Sequence, residues 1–253
     1  MAPKARHAPR ARHIFCTGQP GCGKTTLVKH CAKQLVAAGS RVRGFVTDEV
    51  LDPETGRRAG FDVVAIGAAG ASSPRRGVLA RKQPAPGGAR DPRRRTGAYF
   101  VDVASFEAVA LPLLSPSSSV DVYCVDEIGR MELHSDLFRA AILRLLHGGH
   151  RIVGALAAPI YGHRVPLVDE VAARSDVAVV PLKASSRAAA AERMWGVVEA
   201  SMGAPGRVAK RPASACAPAG GLRAARPRLT TETARGRERS AGGRTCAECR
   251  ECP

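Results

Sequence analysis

The stretch GQPGCGKTT, Gly18 to Thr26, decides how this chain is read. It follows the apolar run HIFCT and precedes LVKHCAKQLVAAG, where Leu27, Val28, Cys31 and Leu35 recur on one helical face up to a stop at Gly39. Gly18, four residues, then Gly23, Lys24 and Thr25 match G-x-x-x-x-G-K-[ST], in the strand-to-helix setting that this motif requires. Glycine is needed because backbone N–H groups must turn inward around a phosphate, and a Cβ would block both the dihedrals and the approach. Gln19, Pro20, Gly21, Cys22 and Thr26 complete the expected phosphate-binding loop. Lys24 is placed to reach the β- and γ-phosphates and Thr25 to offer its hydroxyl to Mg²⁺, with the helix dipole favouring an anion.

A metal-bound triphosphate needs a second acidic element, and VDVYCVDE supplies one. A strongly apolar strand ends there in Asp126 and Glu127, where a buried strand of an α/β sheet opens onto its ligand crevice. Asp126 is expected to be the magnesium partner and Glu127 to orient or deprotonate a water. Lys24 and Glu127 are thus the candidate catalytic residues, and Thr25 and Asp126 the candidate metal ligands.

Around these motifs the chain alternates strands and helices. RVRGFVTDEV and RAGFDVVAI are strand-like and separated by the turn DPETG. A strand at AYFVDV and a helix at SFEAVALPLL follow. Ser135 can cap a helix whose Leu137, Phe138, Ala141, Ile142, Leu145 and Leu146 form a stripe, stopped by Gly148 and Gly149. RIVGALA, a short helix near Leu167 to Ala173, DVAVVPL and a helix around Ala188 to Ser201 complete the set. The expected fold is α/β, a mostly parallel sheet with helices on both faces, of the P-loop type.

The 253 residues carry a net charge of +17, which invites a nucleic-acid reading. Residues 1–13 hold +4, residues 71–95 hold +7 and residues 203–253 hold +7, leaving the remainder at −1. Those three segments are rich in Ala, Gly, Pro, Arg and Ser and poor in large apolar residues, so they are expected to be disordered. The domain is accordingly placed at 13–202, with a basic arm at 1–12, a basic insertion at about 71–95 and a basic tail at 203–253. The tail has no aromatic residue to stack on bases, so nucleic acid is expected to be met only non-specifically through the basic arms.

No run approaches the roughly 18 apolar residues of a membrane span, and no membrane partner is expected. Cys16, Cys22, Cys31 and Cys124 lie in apolar or helical runs, as reduced core thiols do, and no signal-peptide pattern is present. The expectation is a cytoplasmic monomer, with organelle import through the arginine-rich arm as the alternative. Cys246, Cys249 and Cys252 fall at C-x2-C-x2-C spacing, one ligand short of a structural zinc site.

The stretches TGQPGCGKTTLV, GFVTDEV with RRAGFDVV, GAYFVDVASFEAVALPLL and above all VDEIGRMELHSDLF resemble, in order across residues 14 to about 201, the thermophile-type nucleoside-triphosphatases, called cancer-related in animals. The resemblance implies hydrolysis of ATP, GTP and other nucleoside triphosphates to the diphosphate, with Mg²⁺ and loose base preference. It maps the phosphate loop onto Gly18 to Thr25. It also maps a second nucleotide-contacting segment onto Asp121, Val122, Tyr123, Cys124, Val125, Asp126, Glu127 and Ile128. TDEV matches the family's pattern, which turns Glu49 toward the site, against its reading as a surface residue. The family's late VT-x-x-NR stretch survives only as LKASSR, keeping Arg187 without the Asn.

The residues agree on base tolerance, since a chain with no asparagine cannot contain the N-K-x-D guanine reader. Arg130, Arg164, Arg174 and Arg187 are candidates for meeting transition-state charge, though no motif fixes any of them against the γ-phosphate. Two alternatives stay open: a nucleoside or small-molecule kinase using the same loop, and a non-enzymatic nucleotide switch that docks a partner through the basic tail.

Overall fold

The computed structural model of the chain describes residues 11–67, 74–84, 91–159 and 162–202. The basic arm up to residue 10, the tail from residue 203 and its three cysteines lie outside the described residues. In order, the elements are β1 (His13–Gly18), α1 (Lys24–Ala37), β2 (Val42–Leu51), β3 (Arg58–Ile66), β4 (Arg76–Arg81), β5 (Arg95–Thr96) and β6 (Tyr99–Val101). They continue with α2 (Val103–Leu113), β7 (Val122–Ile128), α3 (Asp136–His147), β8 (Arg151–Ala157), α4 (Pro166–Ala172), β9 (Val177–Pro181) and α5 (Arg187–Met202).

Among the described residues nine strands join one sheet in the order β5-β6-β4-β3-β2-β7-β8-β1-β9. From β2 to β9 every pairing is parallel, which is the α/β part expected from the alternating pattern. From β2 to β5 the pairings are antiparallel, and the turn DPETG returns the chain directly from β2 into β3.

Strands buried on both faces read as continuous apolar runs, and β7 shows why. Tyr123 and Val125 pack into the core beneath α2, α3 and α4, while Val122 and Cys124 pack into the one beneath α1 and α5. In the first core the rings of Phe45, Phe106 and Phe138 meet edge-on, with centroids 5.3–5.9 Å apart. Ser135 caps α3 through its hydroxyl, which accepts from Phe138 N at 2.9 Å. Leu137 departs from the expected stripe: it is 55% exposed, one position off the buried face. Cys16, Cys22, Cys31 and Cys124 are buried free thiols, as expected of core cysteines.

The basic stretch 71–95 is not wholly disordered as expected. Residues 76–81 form β4, between β3 and β6, with Leu79 and Ala80 buried. The two arginines at the ends of β4 are paired with acids. Arg76 bridges Asp48 and Asp62 at 2.9 and 2.8 Å, Arg81 holds Asp62 at 2.5 Å, and Lys29 of α1 holds Asp48 at 2.5 Å. The partner acids sit far away in sequence, on β2 and β3, so the composition of the stretch by itself concealed them.

Candidate active site

The loop Gly18 to Lys24 leaves the carboxyl end of β1 and turns into α1. Gly21 and Gly23 have φ of 76° and 104°, left-handed values that a side chain opposes. Gly23 precedes the helix without any side-chain cap, and no acid occupies the first turn, so the leading N–H groups of α1 are left for an anion. Gln19 and Pro20 form the exposed crown, where the Gln19 amide donates to the Pro159 carbonyl at 3.4 Å. Cys22 is buried beneath, and Thr25 and Thr26 open the helix.

Lys24 is held at two points: its Nζ donates to the Gly18 carbonyl at 2.9 Å and lies 3.3 Å from Glu127 Oε2. Glu127 and Asp126 stand at the carboxyl end of β7, one strand removed from the loop, with β8 between. The peptide joining them is cis, and pairing with β8 shifts register between Val125 and Ile128.

Asp126 is buried, and its carboxyl is pushed up to about 6 by burial; a hydrogen bond from the Thr25 side chain opposes the shift and the Glu127 charge adds to it. Thr47 of β2 completes its surroundings, donating to Oδ2 from N at 3.4 Å and from Oγ1 at 3.3 Å. A buried carboxylate beside a threonine hydroxyl is a hard oxygen donor set. It suits Mg²⁺, which takes one or two carboxylates and completes its shell with phosphates and water.

The remainder of the second segment lies elsewhere. Val122, Tyr123, Cys124 and Val125 are fully buried between the two cores, and Ile128 packs beneath α2 and α3. Asp121 precedes β7 at the opposite edge of the sheet, about 16 Å along the strand from Asp126 at the usual rise. It takes a fork of hydrogen bonds from Arg41, at 3.0 Å from Nε and 2.8 Å from Nη2. Glu49 pairs with Arg58 on the neighbouring strand, and Thr47 from the same TDEV stretch is the residue that touches Asp126.

Two further residues belong to the site. Glu132, on a short 3-10 turn after β7, is buried, and its carboxyl is raised well above the ordinary range by burial, then by the charges of Glu127 and Asp126. Gly129 lies between: a Cβ there would meet Glu127 Oε1 at 2.7 Å and Glu132 Oε2 at 2.9 Å. The signal was present in DEIGRMEL, an acid flanked by Met and Leu, but nothing local says that it folds back onto Glu127.

The candidate arginines separate. Arg187, opening α5, donates to the carbonyls of Cys22 and Gly21 at 2.9 and 3.1 Å and so braces the loop. Arg174 pairs with Asp176 before β9, away from the loop. Arg130 donates to the His163 carbonyl at 2.5 Å, and with Arg164 it lines a neighbouring cleft. Among the described residues no arginine is in ion-pair or hydrogen-bond contact with Glu127.

Comparisons with known proteins agree with this geometry. The family model described as NTPase matches residues 13–195. The human cancer-related nucleoside-triphosphatase is 41% identical over 185 residues, covering 70% of this chain and 91% of that protein. A solution structure of a human cancer-related nucleoside triphosphatase superposes with a TM-score of 0.59 at 39% identity, covering 76% of this chain and 99% of the other. The crystal structure of THEP1 from Aquifex aeolicus gives 0.58 at 28% identity, covering 74% and 99%. On the matched model and the shared sequence, this chain belongs to the NTPase family.

Proposed function

We propose that this protein hydrolyses nucleoside triphosphates to the diphosphate and orthophosphate, with Mg²⁺ and little choice of base. The observation that carries the reading is Lys24 poised between the Gly18 carbonyl and Glu127, beside the Thr25–Asp126 oxygen pair.

Loop amides and the α1 N-terminus bind the phosphates. Lys24 exchanges Glu127 for phosphoryl oxygens as the triphosphate arrives, and the freed Glu127 carboxylate then orients a water and accepts its proton. Thr25 and Asp126 are the residues that would hold Mg²⁺, whose contribution when bound is to neutralise charge on the phosphates. Thr47 and the buried surroundings keep Asp126 aimed at that point. Recognition through phosphates rather than the base supports tolerance of ATP, GTP and others. No sequence motif fixes an arginine against the γ-phosphate, which supports slow turnover, since P-loop enzymes without an arginine finger run at roughly 10⁻⁴ to 10⁻³ s⁻¹, and those with one in cis at about 10⁻² s⁻¹.

The test is γ-labelled ATP with Mg²⁺, with and without candidate nucleosides. Free labelled orthophosphate, released below about 1 s⁻¹ and abolished by chelation, is expected. Label in a nucleotide acceptor would make the protein a kinase, and bound but unhydrolysed ATP would make it a switch.

A further inference from the structure

Beside the loop site, at the same carboxyl edge of the sheet, lies a second cleft of about 460 Å³. It is lined by the polar Arg95, Thr96, Arg130 and Arg164 and by the apolar Leu133 and Val165, among others. Small-ligand sites begin at roughly 300 Å³, so the space exceeds what a bare ion needs.

Three arginines line the cleft, and among the described residues no carboxylate does. Two acids are engaged at its margin: Asp169 lies 3.5 Å from Arg164, and Asp91 pairs with Arg93 and Arg94. Arg95 and Arg130 hydrogen-bond to backbone carbonyls, of Gly97 and His163, and among the described residues neither has an acidic partner. Arg164 thus has one exposed counter-charge and Arg95 and Arg130 have none, and an anion placed among the three gains charge-assisted hydrogen bonds.

The walls are also fastened to one another. The Thr96 hydroxyl bonds His134 Nε2 at 2.9 Å, Arg94 donates to the His134 carbonyl at 3.2 Å, and Arg130 ties the turn after β7 to the chain at His163. The segments around the cleft are therefore tied together, and ligand entry has to order chiefly the exposed arginine side chains.

We propose that this cleft is a second ligand site, separate from the triphosphate loop, for a small phosphomonoester: the phosphate dianion on Arg95, Arg130 and Arg164, the organic part against Leu133 and Val165. Arginine is suited to this because its planar fork matches a phosphate in a bidentate way. The site stands three residues beyond Glu127, so its occupant is a near neighbour of the triphosphate.

AMP, orthophosphate and adenosine serve as probes, titrated by calorimetry against the full chain. AMP is expected to bind more tightly than orthophosphate, and adenosine not at all. Binding should persist in Lys24→Ala, whose loop is disabled, and weaken by about tenfold or more in each of Arg95→Ala and Arg164→Ala. Both substituted side chains are exposed, so the fold is expected to hold. AMP should also shift the imidazole resonances of His134 in the parent. The proposal is overturned if AMP binding is lost in Lys24→Ala but kept in the two arginine variants. It is equally overturned if adenosine or orthophosphate binds as tightly as AMP, or if AMP does not bind.

Discussion

Lys24 Nζ rests 3.3 Å from Glu127 Oε2, although the two residues belong to different elements and are separated in sequence by most of the sheet. The phosphate-seeking cation and the water-activating carboxylate hold each other until a triphosphate divides them. Lys24→Ala removes the cation. It should lower kcat/KM for ATP by about 100- to 1000-fold, the usual cost of one preorganised donor to a transferring group. Undiminished turnover in a preparation free of contaminating phosphatase would refute the role.

Glu127→Gln keeps the shape and removes both the base and the charge that competes for Lys24. Nucleotide affinity should be kept or improved, while phosphate release nearly stops. A fluorescent triphosphate measures the first and a phosphate sensor the second; hydrolysis at the parental rate would assign the base elsewhere.

Gly129→Ala tests the crowding of two carboxylates. The added methyl would fall within 3 Å of oxygens on both Glu127 and Glu132, so at least one must move. Since misplacing a reacting group by about 1 Å can cost 100-fold, activity should fall by about that factor, with the thermal midpoint lowered far less. An active Gly129→Ala would show that Glu127 need not sit where it is seen.

Asp62→Asn tests the charge chain that draws β4 into the sheet. Asp62 is only 8% exposed and faces both Arg76 and Arg81. Removing one partner of a buried pair costs about 3 to 5 kcal/mol. Because Arg76 remains half open to water, about 2 kcal/mol is expected here, read from urea unfolding. A loss under about 0.5 kcal/mol would mean that the arginines are solvated after all.

His13 gives the fold a pH dependence. Its side chain is fully buried beside Asp176, Arg174 and Arg12, and burial pushes the imidazole down to about 4 against the opposing pull of Asp176. The unfolded chain takes up this proton near pH 6.5. Between those values the unfolded state binds more protons, so stability falls as pH falls from 6.5 toward 4. The parent should lose about 2 kcal/mol more than His13→Phe between pH 7 and 4.5 in denaturant titrations. Equal losses would show that the folded protein protonates His13 freely.

What the sequence alone determined were features carried by neighbours along the chain. The loop Gly18 to Thr25, the helix that follows it, the Ser135 cap and the apolar β7 ending in Asp126 and Glu127 all rest on short-range patterns, periods of 3.6 or 2 and a fixed glycine spacing. Local patterns also hid things. The arginines around β4 counted as excess charge because Asp48 and Asp62 are brought to them only by the antiparallel hairpin. The resemblance counted Asp121 with Asp126 in one nucleotide-contacting segment, whereas Asp121 precedes β7 and the extended strand separates it from the carboxyl end where Asp126 stands. Tertiary structure alone decided that Lys24 meets Glu127, that Thr47 rather than Glu49 reaches Asp126, and that Glu132 folds back across Gly129. It also decided that Arg95, Arg130 and Arg164 share a cleft. The reason is the same for each: these contacts join side chains from different elements, and sheet order and burial, which no local spacing encodes, determine which charges are desolvated and which find a partner.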